Sequence, residues 1–311
     1  MKLLITGALG HIGSKFIHGI KVGQFEEVVL IDNLLTQRYS SLFKLPQGVH
    51  FRFYENDICR PDIEKFFKGI DVVVHLAAIT DAASTFDKKE LVDEVNFSGT
   101  KNVVDACLRN KCRLIFPSTT SVYGSQSEIV DECCSSEELR PQSPYAESKL
   151  KAEKLLESAG KEHGLEFVIC RLGTIFGVSI GMRFHTAVNK FVWQACLGRP
   201  ITVWRTAMNQ CRPYLDLNDA TRALVYIIDK KLFSRQIYNI VTVNSTVAEI
   251  IQMIKKKIPD IKVEYVNNPI MNQLTYTVLS EKFKKTGFRF TGQMREGIND
   301  TIKILHGINQ R

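Results

Sequence analysis

The chain has no Cys-x-x-Cys pair, and no histidine stands at zinc-binding distance in sequence from any of its eight cysteines. A zinc module is therefore excluded; the thiols at 59, 107, 112, 133, 134, 170, 196 and 211 fall mostly in apolar surroundings and read as packed side chains. Free thiols in such number predict a reducing, cytoplasmic setting. No stretch approaches the roughly 18 apolar residues needed to span a bilayer. The apolar start of "MKLLITGALG" ends in glycines too early for a signal peptide, so a soluble protein with no membrane partner is expected. Internal repeats, low-complexity tracts and long linkers are also lacking. The excess of 41 Lys+Arg over 33 Asp+Glu is spread along the chain, which predicts a solvated basic surface and no nucleic-acid partner.

What is present is 311 residues with 44% hydrophobic content, enough for one large or two fused domains with a sizeable core. Short β-branched runs ("KLLITG", "VVLID", "HFRFY", "DVVVHLAA", "RLIFPST", "FVICRLG") alternate with longer amphipathic segments. That rhythm predicts right-handed βαβ crossovers and a doubly wound parallel sheet, an α/β fold. After about Leu172 the rhythm changes to a glycine-punctuated loop, a helix near Val188–Leu197 and the strand "ITVW", then alternates again to a terminal helix near "REGINDTIKILHG". A smaller mixed α/β C-terminal lobe is expected from 173–210 and 242–311, set on a larger domain of 1–172 and 211–241. The cleft between two such lobes is a common ligand site.

"TGALGHIG" places Gly7, Gly10 and Gly13 between the first strand and the first helix, with His11 and Ile12 among them. Glycines there permit a tight turn, let the backbone approach a pyrophosphate and let the helix pack on the strand, while the helix N-terminus faces the phosphates. Asp32 ends the second strand, followed by Asn33, at the interval where a carboxylate can bond a ribose 2′-OH; a 2′-phosphate would be repelled. The cofactor predicted is NAD rather than NADP on a Rossmann-type sheet. Asp57 with Ile58, and the run His75, Leu76, Ala77, Ala78, are further elements that a dinucleotide site can use. For Asp57 the alternative is a helix cap; for His75 a satisfied core histidine is the favoured reading.

"SPYAESKLKAEKLL" puts Tyr145 and Lys149 four residues apart on one helix face. An ordinary amphipathic helix is the bland alternative. A phenol with a pKa near ~10 becomes a useful base only when its anion is stabilised, and lowering it by about three units takes roughly 4 kcal/mol. A nearby ammonium and a positive nicotinamide ring together supply that, making Tyr145 a base for an alcohol hydroxyl whose carbinol hydrogen leaves as hydride. The hydroxyl of Thr119, in "STTSVYG", can bond the same oxygen and orient it.

TGxxGxxG, Asp32, "HLAA", Asn96 in "NFSGT", "STTSVYG" and Tyr145/Lys149 together resemble the extended short-chain dehydrogenase/reductase family, over nearly the whole chain and in family order. The resemblance implies a catalytic set of Thr119, Tyr145 and Lys149, with Ser118 near the nicotinamide and Lys149 also on its ribose. Asn96 would hold the catalytic helix or the cofactor through bound water, or make a plain helix-turn hydrogen bond. The nearest branch looks like the nucleotide-sugar epimerases and dehydratases. Its 4,6-dehydratases carry an Asp-Glu pair for water elimination where this chain has Thr120 and Ser121, so elimination is disfavoured. A homodimer is expected, because in that family the helices corresponding to about Lys89–Leu108 and Pro144–Ala159 pair with their copies.

For the substrate the resemblance implies a nucleotide sugar, with Thr80, Thr120, Thr174, Arg183, His185, Asn189, Arg212, Asn272 and Gln273 as candidate contacts. Thr174 stands where relatives commonly have asparagine, and Pro213 beside Arg212 where they commonly have aspartate. Arg212 is placed to pair with a diphosphate, or is a surface arginine beside a turn. Met271, Asn272 and Gln273 are uncharged where many relatives supply an arginine. His185 reaches the sugar or merely precedes a helix. The function expected is an NAD-dependent epimerase acting by reversible hydride transfer, most often at C4 in relatives, through a keto sugar. A dehydrogenase without epimerisation and a non-catalytic dinucleotide sensor are the alternatives.

Overall fold

The computed structural model describes residues 1–311 except 81–85, 125–128, 267–274, 306 and 308–311. Strands β1 (Lys2–Thr6), β2 (Glu27–Asp32), β3 (Phe51–Glu55), β4 (Val72–His75) and β5 (Arg113–Thr119) join Phe167–Leu172 and Ser234–Ile240 in a seven-stranded sheet. Its spatial order is β3-β2-β1-β4-β5, then 167–172, then 234–240, and every pairing is parallel. The order reverses between β1 and β4, so the carboxyl ends of those two strands frame the crevice where doubly wound sheets bind ligands.

The strands are almost wholly buried because helices cover both faces. Leu3, Ile5, Val28, Leu30, Val72 and Val74 face one core, completed by α1 (His11–His18) and the helix Leu217–Asp229. Leu4, Val29, Ile31, Val73, Leu114 and Phe116 face the other, beneath α3 (Gly99–Asn110) and α4 (Pro144–His163). The alternation of these sets along each strand is the period-two pleat. Helix α4 starts at the Ser143 cap, whose hydroxyl accepts the Ala146 N–H, has Pro144 in its first turn and stops at Gly164 in the left-handed region, φ 76°. Tyr145 and Lys149 thus lie at its N-terminal end, above the carboxyl end of β5.

The segment expected as one helix over Lys89–Leu108 is interrupted. Helix α2 (Lys89–Asp93) is followed by a π turn over Glu94–Ser98 before α3 begins. The wide turn brings Asn96 into a fully buried position, a use of π turns that recurs at functional sites.

The smaller lobe gathers around Phe176, Val188, Phe191, Val192, Tyr214, Ile250, Ile254 and Ile298, formed by the helices Ala187–Cys196, Val247–Lys255 and Met294–Leu305. Its three-stranded sheet pairs Thr174–Phe176 with Cys211–Asp216 and that strand with Val243–Thr246. Cys211–Asp216, placed with the larger domain on sequence, pairs within the three-stranded sheet, with Tyr214 in the smaller core and Leu215 in the larger one. Conversely Phe283 and Phe288 pack into the larger core although they follow residue 242. Each exchange has the same cause: local sequence dictates a strand or an apolar anchor but not the surface that receives it. No described helix is long and apolar enough to cross a membrane.

Candidate active site

The glycine turn is shaped for close approach. Gly7 has φ +65°, and a Cβ on it would lie 2.5 Å from the Ala77 amide nitrogen. A Cβ on Gly13 would lie 2.4 Å from the Ala8 carbonyl oxygen. Gly10 is the N-cap of α1, whose first-turn amides at His11, Ile12 and Gly13 have no acceptor within the helix and form a ready anion site. Beyond β2, the Asp32 carboxylate accepts the Leu9 N–H and the Leu34 N–H, each at 3.0 Å. Burial holds its pKa above the usual carboxylate range, with those bonds and Arg38 acting against it. A carboxylate with one acceptor position on each oxygen already used still has lone pairs for a ribose hydroxyl. Asn33 donates to Asp57 at 2.9 Å, and Asp57 also accepts the Cys59 N–H at 2.8 Å, so Asp57 caps its turn and stands beside Asn33 at once. Ile58 is buried against Gly99. The residues of this cradle fit a dinucleotide.

His75 is the core histidine expected. Its ring bonds the hydroxyls of Thr6 at 2.6 Å and Thr100 at 3.0 Å, and burial pushes its pKa down to about 3. Leu76 and Ala77 carry the chain past Gly7; the Leu76 N–H donates to the Thr6 carbonyl at 2.9 Å, and Ala78 continues the half-buried rim of the crevice. Asn96 makes direct hydrogen bonds. Its amide oxygen accepts the Ile79 N–H at 2.8 Å, and its Nδ2 donates to the Ile79 carbonyl at 2.9 Å and to the Ser148 hydroxyl at 3.1 Å. One side chain thus ties the segment after β4 to α4.

Thr119 and Tyr145 come together. The Thr119 hydroxyl oxygen accepts the Ser121 N–H at 3.1 Å and bonds the Tyr145 phenol. Burial raises the phenol pKa, while the Arg183 guanidinium and the Thr119 hydroxyl act to lower it. Lys149, 3% exposed, donates from Nζ to the Pro117 carbonyl at 2.8 Å and lies over the Phe116 ring. Burial brings its pKa down to about 7, with Glu153 acting in the opposite direction. Ser118 turns away from the crevice, its hydroxyl donating to Glu153.

The loop after Phe176 is stitched onto the glycine turn. His11 Nε2 bonds the Gly177 carbonyl at 2.9 Å, the Ser179 hydroxyl donates to the His11 carbonyl at 2.9 Å, and Gly181 N–H donates to the Ser14 hydroxyl at 2.9 Å. Arg183 is carried by this loop to Tyr145 and donates to the Thr80 hydroxyl. Asn189 is fully buried and uses both ends of its amide on the loop, accepting the Gly177 N–H at 3.3 Å and donating to the Arg183 carbonyl at 3.0 Å. It shapes the path of Arg183 and presents no amide group to a ligand.

Thr120 donates to the Leu172 carbonyl at 3.3 Å, and its own carbonyl accepts the Tyr276 hydroxyl at 3.1 Å. Thr174 opens the short strand beside Tyr214. Arg212, opposite Ser245 across the smaller sheet, donates to Gln210 at 3.1 Å. His185 is exposed at the edge of the loop and close enough to act on the charge of His11. Asn272 and Gln273 lie outside the described residues. Among the described residues no cluster of histidine, cysteine and acidic side chains is arranged to hold a metal ion.

Residues 3–241 match the model of the NAD dependent epimerase/dehydratase family. The chain belongs to that family. As a member it is an enzyme of the nucleotide-sugar epimerase and dehydratase kind, with NAD as cofactor. It is 28% identical over 239 residues to an uncharacterized UDP-glucose epimerase, YtcB, of Bacillus subtilis, covering 74% of this chain and 73% of that protein. It is 29% identical over 320 residues to the human dTDP-D-glucose 4,6-dehydratase, covering 97% of this chain and 89% of that protein. It also matches a trifunctional UDP-glucose 4,6-dehydratase, epimerase and reductase of Arabidopsis thaliana at 27% identity, of whose length the chain spans 46%. Among solved structures, a mutant UDP-glucuronic acid 4-epimerase from Bacillus cereus in complex with UDP-4-deoxy-4-fluoro-glucuronic acid and NAD superposes with TM-score 0.90. Its identity is 26%, with 98% of this chain and 99% of that chain covered.

Proposed function

We propose that the chain is an NAD-dependent nucleotide-sugar epimerase that inverts a ring carbon, C4, by oxidation to a keto sugar and reduction from the other face. The observation that carries this reading is the meeting of Thr119 with Tyr145 beside the buried Lys149, with hydroxyls and no carboxylate at 120 and 121. Tyr145 takes the proton of the substrate hydroxyl and returns it to the carbonyl oxygen; Thr119 orients that oxygen. Arg183 supplies positive charge that favours phenolate, and the Lys149 ammonium, four residues along the same helix, adds to it in its protonated form. Bound NAD would supply the acceptor, and as NADH the donor, of the hydride exchanged with the ring carbon. Gly7, Gly10, Gly13, Asp32 and Asn33 hold NAD, and Asn96 keeps the sheet and α4 at constant separation. The relationship to 4,6-dehydratases does not carry their elimination step here, because Thr120 and Ser121 have no carboxyl group to act as acid and base.

Thr80, Arg183 and Arg212 are the substrate contacts we favour, in a crevice between a larger domain that includes the helix Leu217–Asp229 and a smaller one that includes Cys211–Asp216. A homodimer through α3 and α4 belongs to the same proposal. A 4-dehydrogenase that releases its keto product is the second reading, since it needs the same three side chains. The deciding experiment is incubation of the purified protein with UDP-, GDP-, dTDP- and CDP-sugars, following mass and stereochemistry. A product of unchanged mass and inverted configuration supports the epimerase; a product lighter by two hydrogens with NADH formed replaces it by the dehydrogenase; silence across the panel sinks both.

A further inference from the structure

Beneath the catalytic side chains lies a buried polar column that the reaction outlined above leaves without a part. Glu153, one turn beyond Lys149 on α4, is 1% exposed, and Arg171 on the neighbouring strand is 3% exposed. Arg171 grips the carboxylate with Nε at 3.1 and 3.2 Å and Nη2 at 2.7 Å. The Ser118 hydroxyl donates to the same carboxylate. The guanidinium also lies over the Tyr123 ring, 4.9 Å from its centre, and the Tyr123 hydroxyl donates to Asn239 at 2.8 Å.

Packing does not require these charges. A buried ion pair is often no more stabilising than apolar side chains of the same volume, because both ions lose their hydration. The column does, however, touch the catalytic apparatus at two places. Ser118 follows Pro117, whose carbonyl accepts Lys149 Nζ, and precedes Thr119, which bonds Tyr145. Glu153 is also the carboxylate acting on the Lys149 charge. The other charged or titratable groups around Lys149 are His75 on β4, held neutral by burial, Tyr145 on the same helix, and Arg171 behind Glu153.

We propose that Glu153 is a positioning residue: held by Arg171 and Ser118 one turn from Lys149, its carboxylate fixes that lysine and the strand end Pro117–Thr119 at the height where Tyr145 meets the substrate. The catalytic consequence rests on the epimerase reading, whereas the effect on Lys149 does not. Burial opposes the ammonium and Glu153 sustains it, so loss of the carboxylate moves the lysine toward its neutral form at physiological pH.

The test uses full-length protein labelled with 13C at lysine Cε, titrated by NMR without cofactor, with Lys149→Met identifying the resonance. One lysine is expected to titrate far below the rest, and Glu153→Gln is expected to move its midpoint down by about one pH unit or more. Because that variant strands Arg171 and could fail to fold, the double variant Glu153→Leu/Arg171→Met removes both charges together. It is expected to melt within a few degrees of wild type, with the lysine midpoint lowered by less than in Glu153→Gln, because the opposing Arg171 charge is removed with the carboxylate. Its turnover at pH 7 on whichever nucleotide sugar the wild type accepts is expected to fall with the protonated fraction of Lys149, about fivefold for a midpoint lowered by one unit from about 7, with KM little changed. A folded double variant with an unmoved lysine midpoint overturns the proposal, as does a double variant that no longer folds, since the pair would then serve stability. Wild type inert toward every sugar would instead defeat the epimerase reading and leave the titration to decide the lysine question.

Discussion

At the scale of single residues, the proposed chemistry depends on a phenol that burial makes less acidic and that Arg183 and Thr119 pull back. Tyr145→Phe removes the ionisable hydroxyl and little else. Sugar oxidation is expected to drop by about 10²–10⁴ with NAD affinity unchanged, measured by stopped-flow formation of NADH absorbance and by NAD titration. Unaltered oxidation would remove Tyr145 from the role of base. Asp32→Ala is expected to weaken NAD about tenfold to a hundredfold, as loss of a hydrogen bond to a charged group does, read by calorimetric titration of NAD; an unchanged Kd would end the ribose assignment. Most of this site is legible in the sequence, because Tyr145 and Lys149 stand four apart on a helix and the glycines sit between a strand and a helix. Glu153 obeys the same spacing, four residues beyond Lys149, yet a carboxylate on a charged helix reads as solvated surface. Nothing local says that Arg171, on a strand eighteen residues further on, folds back to bury it. Ser118 and Asn189 illustrate the converse: polar side chains in the right segment that the fold turns toward Glu153 and toward the loop backbone.

At the scale of elements, the strands of the large sheet follow from their β-branched runs, and α4 from its cap and its stop. Two elements do not follow. A continuous apolar stripe over Lys89–Leu108 carries no mark of the π turn at Glu94–Ser98, since one inserted residue shifts the stripe by about a quarter turn and leaves its hydrophobic content unchanged. The strand Cys211–Asp216 has the composition of any buried strand, and nothing local marks its partners, Thr174–Phe176 and Val243–Thr246. The π turn has a measurable purpose. Asn96→Ala deletes three hydrogen bonds and leaves both backbone groups of Ile79 without them. A loss of about 2–4 kcal/mol is expected, against about 1 kcal/mol for Asn102→Ala, whose side chain makes a single bond to the Ile58 carbonyl. Denaturant melts of the two variants side by side check this; equal losses would mean that the turn is not held by Asn96.

At the scale of the whole molecule, folding holds two imidazoles neutral in the interior. His75 and His11 are both pushed down to about 3, chiefly by burial, with Lys149 acting on the first and Arg183, Arg38 and His185 on the second. The unfolded chain binds protons at both near pH 6.5, whereas the folded chain binds them only near pH 3, so between these values the unfolded state carries more protons. Stability therefore falls as the pH is lowered through that window, by up to about 1.4 kcal/mol per pH unit for each histidine. Above pH 6.5 neither state is charged at these rings and the contribution vanishes. His75 ends β4, bonded to Thr6 and Thr100, and His11 lies in the glycine turn, bonded to the Gly177 carbonyl. Chemical denaturation at a series of pH values is expected to show this slope, and His75→Gln, which can still bond Thr6 and Thr100, is expected to reduce it by about half while costing stability at pH 7. The first-turn amides of α1, which include His11, would receive the pyrophosphate of NAD, whereas His75 is bonded to Thr6 and Thr100. The part of the slope that survives in His75→Gln is therefore the part that NAD should change, and a slope insensitive to NAD in that variant would place His11 outside the reach of the phosphates.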